Sequence, residues 1–217
     1  MCKLVMKSSQ HVPQAKDRRI RNGTIYGALS IALLVCASSL TFPHLQSRRD
    51  ELGCDAMCYG SLTSARSCLS LIGATMIGRI SDLAGPKGRK MCLFLGCIAS
   101  LVGMVIASKT FSIQGLWLSM IPVALLQQNF SILKAMVADL HDEQSTPAQR
   151  SSSMGTLGMA VGLAFMVGPL VAATLLKTFD QANALGMGLA ILSMASIFIL
   201  PDVYQKPKEE EEEQQLK

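Results

Sequence analysis

Six long apolar runs, separated by short polar segments, constrain the fold of this 217-residue chain more than any other feature. The runs cover residues 24–43, 56–78, 91–108, 112–138, 152–176 and 182–200. Because an α-helix rises about 1.5 Å per residue, each run comes close to the roughly 30 Å needed to cross a bilayer. Only 16% of the residues are charged, whereas a soluble domain carries about a quarter. The sequence therefore predicts an all-α, multi-pass integral membrane protein with six transmembrane helices in a lipid bilayer, without distinguishing the plasma membrane from an internal membrane.

Basic residues are distributed unevenly along the chain, and this asymmetry predicts its orientation. If residues 1–23 face the cytoplasm, the cytoplasmic segments contain 14 lysines and arginines, and the opposite segments contain four. Such an excess is typical of cytoplasmic loops. We therefore expect residues 1–23 to form a basic cytoplasmic tail and residues 201–217 an acidic, disordered one. A transit peptide is the alternative for the first segment, although Pro13 interrupts a long amphipathic helix there.

A compact basic segment separates the second and third apolar runs. It contains Gly78, Asp82, Gly85, Lys87, Arg89 and Lys90. The pattern Gly-x-x-x-Asp-x-x-Gly followed by basic residues resembles the loop signature between the second and third membrane helices of the major facilitator superfamily. That family places an arginine directly after the second glycine, whereas Pro86-Lys87-Gly88 intervenes in this chain. Whether Lys87 or Arg89 takes the role of that arginine is therefore open.

The fifth apolar run carries a second resemblance to this family. Gly155, Gly168 and Pro169 fall on the spacing of the Gly-Pro motif found in the fifth helix of its antiporters. In the family, the bend at this motif is thought to shape the transport pathway. The alternative is ordinary close packing of small residues between helices.

Asp139, at the end of the fourth run, is a third match. An acid at this place in the family often pairs with the loop arginine. The resemblance thus implies a charge cluster of Asp82, Arg89 or Lys87, and Asp139, which forms in one conformation and breaks in another. Three separate charges at the membrane surface are the alternative.

Polar side chains recur along one face of two predicted helices. They are Tyr59, Thr63, Arg66 and Ser70 in the second run, and Gln127, Ser131 and Lys134 in the fourth. A charge near mid-membrane costs about 2.5–3.5 kcal/mol and needs water or a partner, so we expect Arg66 to line a substrate cavity. Lys134 lies nearer a helix end and either lines the cavity or extends to the interface. Two cations without an acid at mid-depth favour an anionic substrate.

The resemblance covers residues 24–200 and implies the amino-terminal half of a transporter, made of two inverted three-helix repeats. It implies secondary-active transport of a small solute by alternating access. A second six-helix half is then needed, either from a homodimer or from another half-transporter. The alternatives are a non-transporting membrane scaffold or subunit, and an inactive truncated transporter.

Several classes of function are not expected. The sequence has no paired acids at mid-depth, no nucleophile–base spacing and no phosphate loop, so we do not expect an enzyme. It has no Cys-x-x-Cys pair and no histidine cluster, so we expect no metal or cofactor. The predicted topology explains the basic charge, which makes nucleic acid an unexpected partner. Cys54 and Cys58 both lie where the chain should face outside, and whether they are bonded is left open.

Overall fold

The structure, a computed structural model, describes residues 11–141 and 146–200, without the side chains of residues 11–19, 86 and 87. The secondary structure of the described residues is entirely helical. The helices are α1 (His11–Glu51), α2 (Ala56–Leu83), α3 (Gly85–Lys109), α4 (Ile113–Leu126), α5 (Asn129–Leu140), α6 (Pro147–Leu175) and α7 (Phe179–Ile199). The all-α fold class is therefore confirmed.

Five stretches of the described residues are long and apolar enough to cross a membrane. They are Ile20–Glu51, Gly88–Lys109, Ile113–Leu140, Pro147–Leu175 and Phe179–Ile199. Helix α2 has 28 residues and the length to cross, but it is not one of the five, and it carries Arg66, Arg79 and Asp82. The sixth span consequently remains a prediction.

The helices extend past the apolar runs at several ends. Helix α1 begins at His11 and ends at Glu51. It therefore continues beyond the predicted span 24–43 at both ends, into part of the predicted basic tail and into the segment before the second predicted span. Charged residues such as arginine and glutamate adopt helical conformation as readily as apolar ones. An apolar run therefore predicts the part of a helix that lies in the membrane, but not where the helix ends. The predicted acidic tail and residues 1–10 and 142–145 lie outside the described residues.

Capping side chains mark where four of the helices begin. The caps are Asp55, Ser112, Thr146 and Thr178, and each accepts a hydrogen bond from the backbone N–H three residues later. Such bonds satisfy one of the donors that the first helical turn leaves unpaired. The connections between helices are correspondingly short.

The connection between α2 and α3 is tighter than the sequence predicted. Ala84 alone separates the two helices, and Gly85 has a left-handed φ of 63°. Glycine adopts this conformation without the steric cost that a Cβ imposes. Gly78 and Gly88 lie inside helices, so the turn depends on Gly85 and not on all the glycines of the segment.

The fourth predicted span, 112–138, is not one helix. It breaks at Gln127 and Gln128, whereas Pro122 lies within α4. The side-chain amide of Gln128 donates to the backbone oxygen of Ser70 at 3.2 Å and lies 3.4 Å from the oxygen of Ala124. A side chain thus replaces part of the hydrogen bonding that the broken helix loses.

The chief contacts between helices divide into two matching sets. Helix α1 packs against α6 and α7, helix α4 packs against α2 and α3, and α3 and α7 join the two sets. Exchanging α1 with α4, α2 with α6 and α3 with α7 converts one set of contacts into the other.

Small residues allow close approach at two of these interfaces. A Cβ on Gly73 of α2 would overlap the backbone oxygen of Leu125, and a Cβ on Gly168 of α6 would overlap the hydroxyl of Ser39 in α1. Ser39 also donates to the Ala164 oxygen at 3.2 Å. Close backbone approach of this kind stabilises helix packing in membranes, where apolar surface alone does not drive association.

Polar residues inside the bundle donate to backbone oxygens of neighbouring helices. Asn129 donates to the oxygen of Leu93 at 3.1 Å, and Ser193 donates to the oxygen of Ser30 at 2.8 Å. Burying these groups without partners would cost free energy. These contacts therefore fix α5 against α3 and α7 against α1.

Cys54 and Cys58 form a disulfide between the α1–α2 connection and the first turn of α2, with their Cα atoms 5.4 Å apart. Replacing both residues by serine is expected to lower the free energy of unfolding by at most about 2 kcal/mol, because the closed loop is short. Peptide mapping without reductant should find the two cysteines joined. Free thiols at both positions in protein from native membranes would contradict the pairing.

Candidate functional site

A cavity of about 110 Å³ lies between α1, α2, α3, α4 and α7. We call it the central cavity. Its walls are largely apolar, with Phe42, Met120 and Phe179 among them. Its polar and charged lining residues include Thr41, Arg49, Arg66, Ser100, Gln127 and Asn183. Two arginines thus line one small and mainly apolar space, an arrangement that suits an anion with an apolar body.

The four residues of the predicted stripe on α2 lie in four different environments. Arg66 lines the central cavity, whereas Tyr59 lines a second cavity near the end of α1. Ser70 accepts a hydrogen bond from Gln128 at 3.2 Å. Thr63 is exposed and donates to the backbone oxygen of Tyr59 at 2.9 Å.

The predicted stripe on the fourth span divides because that span is broken. Gln127, at the break, lines the central cavity. Ser131 and Lys134 belong to α5 and are exposed. The ammonium of Lys134 lies 4.1 Å from the centre of the Phe130 ring, within range of a cation–π interaction.

The sequence analysis missed several residues of the central cavity, Arg49 and Asn183 among them. Arg49 lies beyond the first predicted span, 24–43, but α1 continues through it and it lines the cavity. Asn183 is fully buried, donates to the oxygen of Met104 at 2.8 Å, and keeps a buried side-chain oxygen without a partner among the described residues. The polar amide of Asn183 within an otherwise apolar run is the sequence signal by which it could have been found.

Arg48, next to Arg49, has a different environment. Its guanidinium donates to the backbone oxygen of Thr110 at 2.8 Å. It also lies 5.2 Å and 4.8 Å from the ring centres of Phe111 and Phe179. These contacts hold together the ends of α1, α3 and α7, so Arg48 is a packing residue.

Arg89 connects three helices at the other end of the bundle. It forms an ion pair with Asp139 at the end of α5 and lies 4.0 Å from a carboxylate oxygen of Asp82 in α2. Its side chain is only 15% exposed, against 41% for Asp139 and 77% for Asp82. We call these three residues the Arg89 cluster. The structure thus brings Asp82, Arg89 and Asp139 together, while the side chain of Lys87 lies outside the described part.

Three other residues of the basic segment have distinct positions. Gly78 faces open space, since a Cβ there would meet no atom within 4 Å. Gly85 forms the turn described above, and Lys90 is half-buried in the first turns of α3.

The residues of the Gly-Pro motif occupy different surfaces of α6. Gly168 is buried against Ser39, and Pro169 follows it inside the helix. Gly155 is exposed, and a Cβ there would meet no atom within 4 Å. Close packing in the described chain therefore depends on Gly168 and not on Gly155.

Residues 27–217 match the protein-family model described as Major Facilitator Superfamily. The chain belongs to the Major Facilitator Superfamily. Its family and its five apolar stretches make this superfamily member a multi-pass integral membrane protein.

Relatives of this superfamily chain include named solute carriers. It is 28% identical over 146 residues to human Solute carrier family 67 member A1 and 28% identical over 154 residues to mouse Solute carrier family 22 member 18. The matches cover 65% and 70% of this chain, but 33% and 36% of those proteins. The chain thus spans about a third of the length of these relatives.

A solved structure shares the fold. The crystal structure of the human organic anion transporter MFSD10 (TETRAN) matches with a TM-score of 0.69 and 21% sequence identity. The match covers 86% of this chain and 49% of that one. The superfamily chain therefore has the fold of about half of a solved transporter.

His141 lies at the Arg89 end of this superfamily bundle, in a cleft of about 340 Å³. Its Nε2 lies 2.9 Å from the hydroxyl of Ser153. Burial lowers the pKa of His141, and the positive charge of Arg150 lowers it further. The fold therefore favours the neutral imidazole.

Thermal stability is expected to fall modestly as the pH drops below the ordinary His141 pKa of 6.5. The unfolded chain binds the proton first, so the contribution of His141 is complete above that value and is lost as pH falls through the folded pKa. Melting curves in detergent across this range should show the slope, and His141→Gln should flatten it. Equal slopes in the two proteins would contradict the assignment.

No group of three or more metal-binding side chains occurs within residues 11–141 and 146–200 as described.

Proposed function

We propose that this chain is a six-helix half of a secondary-active carrier that moves a small organic anion across a membrane. The central cavity carries the proposal, because Arg49 and Arg66 place two positive charges in an apolar space with the amides of Gln127 and Asn183. Arginine suits carboxylate recognition because its planar donors match two oxygens at once. The family consists of transporters, which agrees with the expectation that the chain is not an enzyme.

The proposed topology has six spans, with α2 as the one that apolar content alone does not identify. An α2 that lines a water-filled cavity can carry Arg66 without exposing it to lipid. Both termini are proposed to face the cytoplasm. The Cys54–Cys58 disulfide supports this orientation, because disulfides persist in oxidising compartments and this one lies at the end opposite the Arg89 cluster.

The exchange of helix contacts supports two inverted three-helix repeats, α1–α3 and α4–α7, where α4 and α5 together count as the one broken helix of the fourth span. In such transporters the substrate site lies between two bundles that rock against each other. Arg66, Thr63 and Ser131 are exposed in the single chain, and a second bundle would enclose them. We therefore propose that a second six-helix half, from a homodimer or another chain, completes the carrier.

The Arg89 cluster is proposed to stabilise the conformation that is closed at its own end. The pairing of Arg89 with Asp139 ties α3 to α5, and the nearby Asp82 adds α2. Opening that end would separate these helices and break the pair. The difference in charge contacts between the two states is what biases their populations.

Cross-linking in native membranes, followed by uptake of labelled organic anions into vesicles, tests this function. We expect a two-bundle assembly with anion uptake, and a roughly tenfold or larger loss of uptake in Arg66→Gln, as for removal of a charged contact worth about 1.5–3 kcal/mol. Lys177→Gln, which removes an exposed cation outside the central cavity, is the control. A stable complex with an unrelated membrane protein and no uptake would instead support a scaffold. A monomer without uptake would contradict the carrier.

A further inference from the structure

A second cavity, of about 210 Å³, lies where α1 meets α2. We call it the vestibule. Its lining includes Gln46, Arg49, Asp50, Cys54, Asp55 and Tyr59. Among the described residues, Arg49 is the only one that lines both the vestibule and the central cavity. The two spaces therefore adjoin at the side chain of Arg49.

The guanidinium of Arg49 is held weakly. It lies 5.5 Å from the centre of the Tyr59 ring, and its buried Nε donates to no acceptor within the described chain. It also forms no ion pair with any described carboxylate. Arg48, one residue away, is bound to Thr110 and two aromatic rings. Of these two neighbouring arginines, Arg49 is the one whose donors are available.

The two sides of Arg49 differ in charge. Asp50 and Asp55 line the vestibule, and Arg66 lines the central cavity. An anion in the cavity would attract both guanidinium groups, whereas an empty cavity leaves Arg49 repelled by Arg66 and attracted toward the two carboxylates. The direction in which the Arg49 guanidinium is attracted therefore depends on whether an anion occupies the central cavity.

We propose that Arg49 is the gate between the vestibule and the central cavity. With an anion bound, its guanidinium shares that anion with Arg66 and closes the passage. Without an anion, it turns toward Asp50 and Asp55 and opens the passage. This inference rests on the proposed anion carrier, and it assigns a second cationic contact to the same site.

A thiol inside the central cavity tests the gate. Ser119 lines the cavity and not the vestibule, so Ser119→Cys reports access to it. The full chain in native membranes is treated with a membrane-impermeant thiol reagent from the Cys54 side, with and without benzoate as the probe anion. Labelling of the chain without Ser119→Cys gives the contribution of its native thiols.

We expect benzoate to slow labelling, and Arg49→Gln to raise the labelling rate roughly tenfold in its presence, within the usual range of coupling between two states. Arg49→Lys should keep part of the closure. Lys109→Gln, which removes an exposed charge at the same end of the bundle, should leave the rate unchanged. Equal rates for the parent and Arg49→Gln would overturn the gate.

Uptake of labelled anions in the same membranes separates this inference from the carrier. Anion uptake together with unchanged labelling in Arg49→Gln would overturn the gate and leave the carrier intact. Faster labelling in Arg49→Gln without uptake in any protein would support access control by Arg49 and overturn the carrier.

Discussion

Replacing Arg89 by glutamine is expected to reduce anion uptake roughly tenfold to a hundredfold, the range for losing a charged contact worth about 1.5–3 kcal/mol. The change removes the guanidinium that pairs with Asp139 and lies 4.0 Å from Asp82. Glutamine carries no charge, so it cannot replace the ion pair that Arg89 makes with Asp139. Uptake into vesicles with matched amounts of folded protein measures the effect.

Two variants make this result interpretable. Arg79→Gln removes an exposed arginine of the neighbouring α2 and should leave uptake close to that of the parent. Exchanging the charges of Arg89 and Asp139 in one double variant should recover part of the uptake, since it restores the pair in reverse. An Arg89→Gln protein with full uptake would show that the cluster has no part in transport.

Replacing Gly73 by alanine is expected to destabilise the bundle by about 1–3 kcal/mol, the usual cost of overpacking. The added methyl group would overlap the backbone oxygen of Leu125. A flexible side chain can move aside, but a helix backbone moves only with its whole segment. The measurement is the melting temperature in detergent, read from the fraction of monodisperse protein left after heating.

Gly78 provides the matched control, since it lies five residues later in the same helix and its Cβ position is open. Gly78→Ala should be neutral or slightly stabilising, because alanine is a better helix former than glycine by about 0.5–1 kcal/mol. If the two alanine variants melt alike, the close approach of α2 and α4 would not limit stability.

The fold class was predictable because apolar runs must be buried in lipid or protein, and such runs can be recognised from consecutive residues alone. The helix ends were less predictable, because they depend on single caps such as Asp55 and on charged residues that remain helical, as in the last turns of α1. The number of membrane spans is also difficult to predict where a helix contains charged residues. Helix α2 is long enough to cross a membrane, but it contains Arg66, which lowers its mean hydropathy.

The candidate site was predictable where periodicity or a motif pointed to it. Arg66 was singled out as a charge inside an apolar run, and Arg89 and Asp139 through the family resemblance. Arg49 was not, because its position follows from how far α1 extends and from which cavity meets it. Contacts between distant parts of the chain, such as that of Asn183 with Met104, depend on how the helices pack. A local sequence pattern does not predict that packing.

The break at Gln127 and Gln128 has a mechanical consequence. In one continuous helix, a tilt of the end that carries Asp139 would also move the residues that line the central cavity. In this chain the helical backbone hydrogen bonding is interrupted between Asp139 and the cavity. Gln128, at the break, donates a hydrogen bond to Ser70 of α2. We therefore expect the two parts of the fourth span to move separately, so that the proposed separation of Arg89 and Asp139 can occur while the cavity wall formed by α4 stays in place.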